Sequence, residues 1–90
     1  MNNERRKEID RLMERVNSLL SDLSEIKDSI ESVRDDEQEY LDNLPENMAD
    51  GERAEKAQAA IDALDEALSS LDDSEMSLEG INTNLETAKE

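Results

Sequence analysis

The feature that most constrains this chain is the spacing of its apolar residues, which recur at alternating intervals of three and four. In the first half the pattern starts at Ile9, is interrupted only by the acidic Glu37, and ends at Leu44. Such a heptad repeat places two lines of side chains on one face of an α-helix and is typical of coiled coils. The two lines are Ile9, Val16, Leu23, Ile30, Glu37 and Leu44, and Leu12, Leu19, Ile26, Val33 and Tyr40.

The second half of the chain repeats the pattern, with polar residues at Glu75 and Asn82. We therefore predict helix 1 over residues of about 4–43 and helix 2 over about 52–88. Ser, Asn, Thr and Gly80 weaken the later part of helix 2, so a break near residue 73 is an alternative to one continuous helix. The predicted core positions are Ala57, Ile61, Leu64, Leu68, Leu71, Glu75, Leu78, Asn82 and Leu85.

The segment between the helices, "DNLPENMADGER" at residues 42–53, holds the only proline and one of the two glycines. A proline pushes the preceding residue out of helical geometry, so Pro45 is predicted to end helix 1. Asp50 is predicted to cap helix 2. A turn over residues of about 44–51 follows from these two signals.

Folding helix 2 back on helix 1 pairs the core positions in one constant register, in which paired residue numbers add up to 97 or 98. Flanking charges fit the same register, because Arg34 falls opposite Asp65 and Lys27 opposite Asp72. We therefore predict an all-α fold: an antiparallel two-helix coiled-coil hairpin that comprises residues 1–90. The polar positions Glu75 and Asn82 mark either a hydrated open end or sites that set register or partner choice.

Apolar residues beside the predicted seam indicate contacts with a further helix. Helix 1 carries Met13, Leu20 and Leu41 there, and helix 2 carries a line of mostly small residues. We predict self-association, most simply a dimer that forms a four-helix bundle, with scattered surface apolar residues as the alternative. The line on helix 2 is Arg53, Ala60, Ala67, Ser74, Ile81 and Ala88.

Composition excludes several kinds of chemistry. The chain has no Cys and no His, which excludes disulfides, thiolate catalysis, Cys/His zinc sites and His-based acid–base catalysis. No phosphate-binding loop, nucleophile–base pair or calcium loop is present. We predict a non-enzymatic protein without metal or cofactor. The charged N-terminus contains no apolar run of signal-peptide or membrane-span length, so a cytoplasmic location is expected.

The excess of acidic residues indicates more about function than any other feature of the sequence, since the formal net charge is −16. This charge disfavours direct contact with nucleic acid or anionic membrane, and a solvated face that keeps the protein soluble is the plainest interpretation. The alternative is a surface that binds a basic, nucleic-acid-binding protein by imitating rows of phosphates. The candidate acidic surface comprises Asp28, Asp35, Asp36, Asp62, Asp65, Asp72 and Asp73.

Two further hypotheses remain open. A group of basic residues near the N-terminus, which we call the arginine cluster, could converge across subunits to sequester a small nucleotide signal, because anionic ligands need cations. The chain could also be a plain oligomerisation module without a ligand. The arginine cluster comprises Arg5, Arg6, Arg11 and Arg15.

Residues 33–68, "VRDDEQEYLDNLPENMADGERAEKAQAAIDALDEAL", resemble a group of small acidic proteins of bacteriophages and prophages. That group has an acidic helix with an aromatic residue, an Asn-Leu/Met-Pro-Glu turn, and a Glu-Arg start to an Ala-rich helix. The resemblance implies a viral protein that acts on host machinery or a defence system in the host cytoplasm. The matching residues are Asp36, Glu37, Tyr40, Asn43, Leu44, Pro45, Glu46, Glu52 and Arg53.

Overall fold

The computed structural model describes all of residues 1–90 and contains two long helices and no strand. Helix α1 comprises Asn3–Asp42 and helix α2 comprises Glu52–Lys89, and they pack against each other as a hairpin. The all-α prediction and the antiparallel hairpin are thus confirmed. Association into a four-helix bundle involves a second chain and stays a prediction.

The connection between the helices is a hydrogen-bonded turn. A single 3-10 turn, Glu46–Met48, follows Pro45, whose backbone is extended at φ −59° and ψ 148°. The Met48 N–H donates to the Pro45 carbonyl at 2.8 Å, and the Gly51 N–H donates to the Met48 carbonyl at 3.1 Å. These bonds define the path of the chain between the helices, whereas a flexible linker would leave the backbone groups to water.

Helix α2 begins one residue later than an Asp50 cap requires. Its first helical bond runs from the Glu55 N–H to the Gly51 carbonyl at 3.1 Å, which makes Gly51 the N-cap. The predicted capping role of Asp50 is therefore wrong. The turn continues through Gly51, and glycine is nearly as favourable at an N-cap as aspartate. From Glu52, α2 runs to Lys89 with no break near residue 73.

The chain divides into two compact units, of which the unit next to the turn comprises Ile26–Ser70. Its most buried residues lie at the start of α2: Ala54, Ala57 and Ile61, the last with only 2% of its surface exposed. Small side chains at the first two positions let helices approach closely. The half-buried residues that complete this core include Ile30, Leu41, Leu44, Met48, Leu64 and Leu68.

The other unit comprises Met1–Glu25 and Leu71–Glu90, so it contains both chain ends. Ile9 is its one buried residue. Polar side chains occupy part of the interior, since Glu75 and Asn82 are both half-buried. The half-buried apolar residues of this unit are Met13, Val16, Leu20, Leu23, Leu71, Leu78 and Leu85.

One line of the predicted seam on α1 is not buried. The structure leaves Leu12, Leu19, Ile26, Val33 and Tyr40 between 36% and 55% exposed, and we call them the exposed α1 line. The neighbouring positions Met13, Leu20, Lys27, Arg34 and Leu41 are half-buried instead.

The assignment of these five residues to the seam is therefore wrong, and the reason is that α1 carries three apolar lines. Met13, Leu20 and Leu41 combine with the line that starts at Ile9 in the same three-and-four spacing. That second seam also brings Arg34 beside a carboxylate of α2, Asp65, with which it forms an ion pair. One neighbouring helix covers only two lines, so the third stays exposed.

Replacement of Gly80 tests how far helix propensity limits the stability of α2. A Cβ atom added at Gly80 would meet no atom within 4 Å, and the backbone there has a negative φ. We expect Gly80→Ala to raise the free energy of unfolding by about 1 kcal/mol, measured by urea denaturation and circular dichroism. Gly51→Ala is the control, because alanine is a poor N-cap and should give no gain.

Candidate functional site

Three polar contacts between the helices define the antiparallel register. Arg34 donates to Asp65, Asn82 donates to Asn17, and Lys89 donates to Asp10. The residue numbers of each pair add up to 99, and each pair lies within one of the two units. The Arg34–Asp65 pair was predicted from the sequence. The other two were not, although the same sum would have identified them; the predicted Lys27–Asp72 pair stays a prediction.

The contact between Asn82 and Asn17 explains one polar position of the seam. The Asn82 amide group donates to the Asn17 carbonyl oxygen, with Nδ2 and Oδ1 2.8 Å apart. The other end of the Asn82 side chain, Oδ1, is buried and has no hydrogen-bond partner. A buried polar atom without a partner is costly, so Asn82 favours this register at the expense of stability.

Basic side chains from both helices join the chain ends. The Arg6 Nε donates to the Lys89 carbonyl oxygen at 3.0 Å and so satisfies one of the carbonyls left open at the end of α2. The Lys89 ammonium lies 2.8 Å from an Asp10 oxygen and 3.5 Å from a Glu86 oxygen. The hydrogen bond to Asp10 raises the pKa of Lys89 above its ordinary value of 10.5.

Arg34 forms the corresponding ion pair in the unit next to the turn. Its Nε donates to an Asp65 oxygen at 2.5 Å, and Asp35 lies 3.6 Å from the same guanidinium. The hydrogen bond to Asp65 raises the pKa of Arg34 further above an already high value. Asp65 therefore supports the hairpin and is less available to a partner than Asp28, Asp36 or Asp73.

The other residues of the candidate acidic surface are exposed to solvent. Asp28, Asp36 and Asp73 form no ion pair, and Asp62 accepts a hydrogen bond from the Gln58 amide at 2.9 Å. Residues at intervals of seven share a helix face, so Asp28 and Asp35 lie together. Asp36, one residue later, lies about 100° around α1. The seven residues therefore do not form one patch.

The arginine cluster does not converge within one chain. Arg6 is half-buried and bonds to the end of α2, and Arg11 pairs with Glu8 at 2.7 Å. Arg5 is exposed, and Arg15 lines an apolar groove instead. Two of the four guanidinium groups thus already have partners, and the four do not surround a common point for an anion.

That groove lies in the unit that contains the chain ends and has a volume of about 360 Å³. Two residues of the exposed α1 line, Leu12 and Leu19, form one wall, and Ile81 of α2 is 45% exposed on the other side. The groove is thus an apolar feature on the side of α1 that carries the exposed line. The residues that line it are Leu12, Arg15, Val16, Leu19, Ile81 and Leu85.

Comparison with family models, curated proteins and solved structures found no match for this chain. Neither helix has the length and apolar character that are needed to cross a membrane. No three carboxylates come together in a geometry that could hold a metal ion.

Substitution of the two asparagines should change stability in opposite directions. Asn82→Leu removes the partnerless buried oxygen and adds apolar surface to the seam. We expect it to raise the free energy of unfolding by about 1 kcal/mol. Asn17→Ala removes the acceptor and leaves the Asn82 amide group without its bond, which should lower that free energy by a similar amount. Urea denaturation measures both, and a loss of stability in Asn82→Leu would contradict this account.

Alkaline pH tests the contact between Lys89 and Asp10. Because the pKa of Lys89 is higher in the folded than in the unfolded chain, its stabilising effect is complete below pH 10.5. The effect is lost as the pH rises through the folded-state pKa. We expect the free energy of unfolding to fall as the pH rises above about 10.5, and to fall less in Lys89→Met. Lys7→Met, at an exposed position, should retain the wild-type pH dependence.

Proposed function

We propose that the chain is a non-enzymatic binding protein whose carboxylates occupy the nucleic-acid site of a basic partner protein. The observation that carries the proposal is the set of exposed carboxylates for which the hairpin supplies no cation, represented by Asp28, Asp36 and Asp73. Between Lys56 and Lys89 the sequence contains no basic residue at all. Such charge is available to a partner and attracts cationic surfaces over a long range.

The rigid helix supports this function because it holds carboxylates at repeated spacings. Residues three and four apart on a helix lie roughly 5–6 Å from each other, so Asp62 and Glu66 form a short row on α2. A cationic groove that binds phosphates along a nucleic-acid strand can bind such a row. Association of this kind is fast and weakens with salt.

The partner class follows from charge and from the resemblance. A basic surface that binds nucleic acid is the complement of this one, and the phage-type resemblance of residues 33–68 favours a host or defence protein. The modes of action would be inhibition or modulation by competition with nucleic acid. Sequestration of a nucleotide is less well supported, because Arg6 and Arg11 already have partners within the chain.

Removal of three carboxylates that form no contact between the two helices tests the proposal. The variant Asp28→Asn, Asp62→Asn, Asp73→Asn should capture at least about 10-fold less of its basic partner from a nuclease-treated bacterial lysate at low salt. A matched variant, Glu4→Gln, Glu46→Gln, Glu90→Gln, removes the same charge at exposed positions near the turn and the chain ends. It should retain binding.

Double-stranded DNA should displace the captured protein from the wild-type chain, because both compete for one basic surface. Equal capture by both variants, or capture that DNA does not affect, would show that general charge rather than this surface is responsible. Circular dichroism of each variant verifies that the helices are intact.

A further inference from the structure

We propose that the exposed α1 line is the contact surface for a second copy of this chain, with the two α1 helices antiparallel and Ile26 facing its own equivalent. This proposal is independent of the acidic function above. It starts from the five large apolar side chains of that line, which are spaced in sevens along one continuous helix. Single exposed apolar residues are common on protein surfaces, but a regular line of five marks an interaction site.

The exposed α1 line is symmetric about Ile26. In an antiparallel pair of α1 helices, Leu12 meets Tyr40 of the second copy and Leu19 meets Val33, so that residue numbers add up to 52. A surface that matches itself in this way is what a two-fold dimer requires. Over the 28 positions from Leu12 to Tyr40, the line is about 42 Å long.

Charges beside the exposed α1 line fit the same register. The neighbouring helical positions on its outer side are Arg15, Asp22, Ser29 and Asp36. Residue numbers that add up to 51 place Arg15 opposite Asp36 of the second copy, twice per dimer, and Asp22 opposite Ser29. The antiparallel arrangement thus pairs opposite charges and avoids contacts between like charges, which sets partner orientation in coiled coils.

Helix α2 also has one line of residues without charge. A second three-and-four series on α2, which we call the uncharged α2 stripe, contains no charged residue, although the same segment carries eight acidic residues. The acidic residues are Asp62, Asp65, Glu66, Asp72, Asp73, Glu75, Glu79 and Glu86. The uncharged α2 stripe comprises Ala60, Ala63, Ala67, Ser70, Ser74, Ser77, Ile81, Asn84 and Ala88.

In the unit that contains the chain ends, the uncharged α2 stripe lies beside the exposed α1 line, because Ile81 lines the groove with Leu12 and Leu19. The part of the stripe from Ala60 to Ala88 that recurs in sevens is centred on Ser74.

Electrostatics favours a second copy of this chain over other partners at the exposed α1 line. Two copies of a chain of net charge −16 repel each other least where few charges lie between them, and the charges beside the exposed α1 line meet opposite or neutral residues in this register. A basic protein would gain nothing from an uncharged rim and is better matched to the acidic surface.

Cysteine cross-linking tests the register, and the full chain has no cysteine to interfere. Under mild oxidation, Ile26→Cys should form a disulfide-linked dimer at least about 10-fold faster than Ser21→Cys, because only residues near the axis bring their own copies within reach. Leu19→Cys should cross-link rapidly with Val33→Cys in a mixture, and slowly with itself. Rapid self-linking of Leu19→Cys would indicate a parallel dimer and overturn the proposal.

Sedimentation equilibrium tests the association itself. The wild-type chain of 10.2 kDa should behave as a dimer at micromolar concentration, and more strongly so in high salt, which screens the repulsion. Ile26→Asp should weaken the dimer at least about 100-fold, because it places two carboxylates at the axis. Ser21→Asp adds the same charge at an exposed position about 140° around α1 from Ile26 and should remain dimeric.

A monomeric wild-type chain, or equal dissociation constants for the two aspartate variants, would overturn the proposal. If Ile26→Asp loses its helical circular dichroism signal, the cross-linking rates decide, since a cysteine at this position preserves an apolar side chain of similar character.

Discussion

The number of apolar lines on α1 is the constraint on which the rest of the structure depends. Three lines run along this helix, and a single antiparallel neighbour covers only two of them. The choice of lines decides which residues are buried, which basic side chains reach α2, and which face remains open to solvent. The line that contains Arg34 faces α2, so Arg34 forms an ion pair with Asp65. The line that contains Val33 faces solvent.

The sequence was sufficient to predict two helices, their antiparallel order and the turn at Pro45, because heptad spacing and turn residues are local signals. It was insufficient to select the seam on α1. Ile9 combines with Leu12 or with Met13 in the same three-and-four pattern, so spacing alone cannot distinguish the two. The contacts that each seam makes with α2 distinguish the two seams. Those contacts depend on how the two helices pack, which the spacing within one helix does not determine. The N-cap of α2 was missed for a similar reason, since the path of the turn decides it.

The charged residues of this chain are numerous, and they are distributed unevenly over its surface. The acidic residues of α2 avoid one complete face, while the few basic residues near the chain ends, such as Arg6 and Lys89, join the two helices. This arrangement separates two tasks that conflict. A strongly acidic surface can interact with cationic molecules, while a face free of charge remains for contacts that the net charge of −16 would otherwise prevent.

The distances along the chain between paired residues suggest an order of folding. Arg34 and Asp65 are 31 residues apart, Asn17 and Asn82 are 65 apart, and Asp10 and Lys89 are 79 apart. Closing a longer loop costs more conformational entropy, so contacts next to the turn should form first and the chain ends last. Amide hydrogens near residues 10 and 89 would then exchange with solvent before those near Ile61, and the chain ends would open while the turn remains folded.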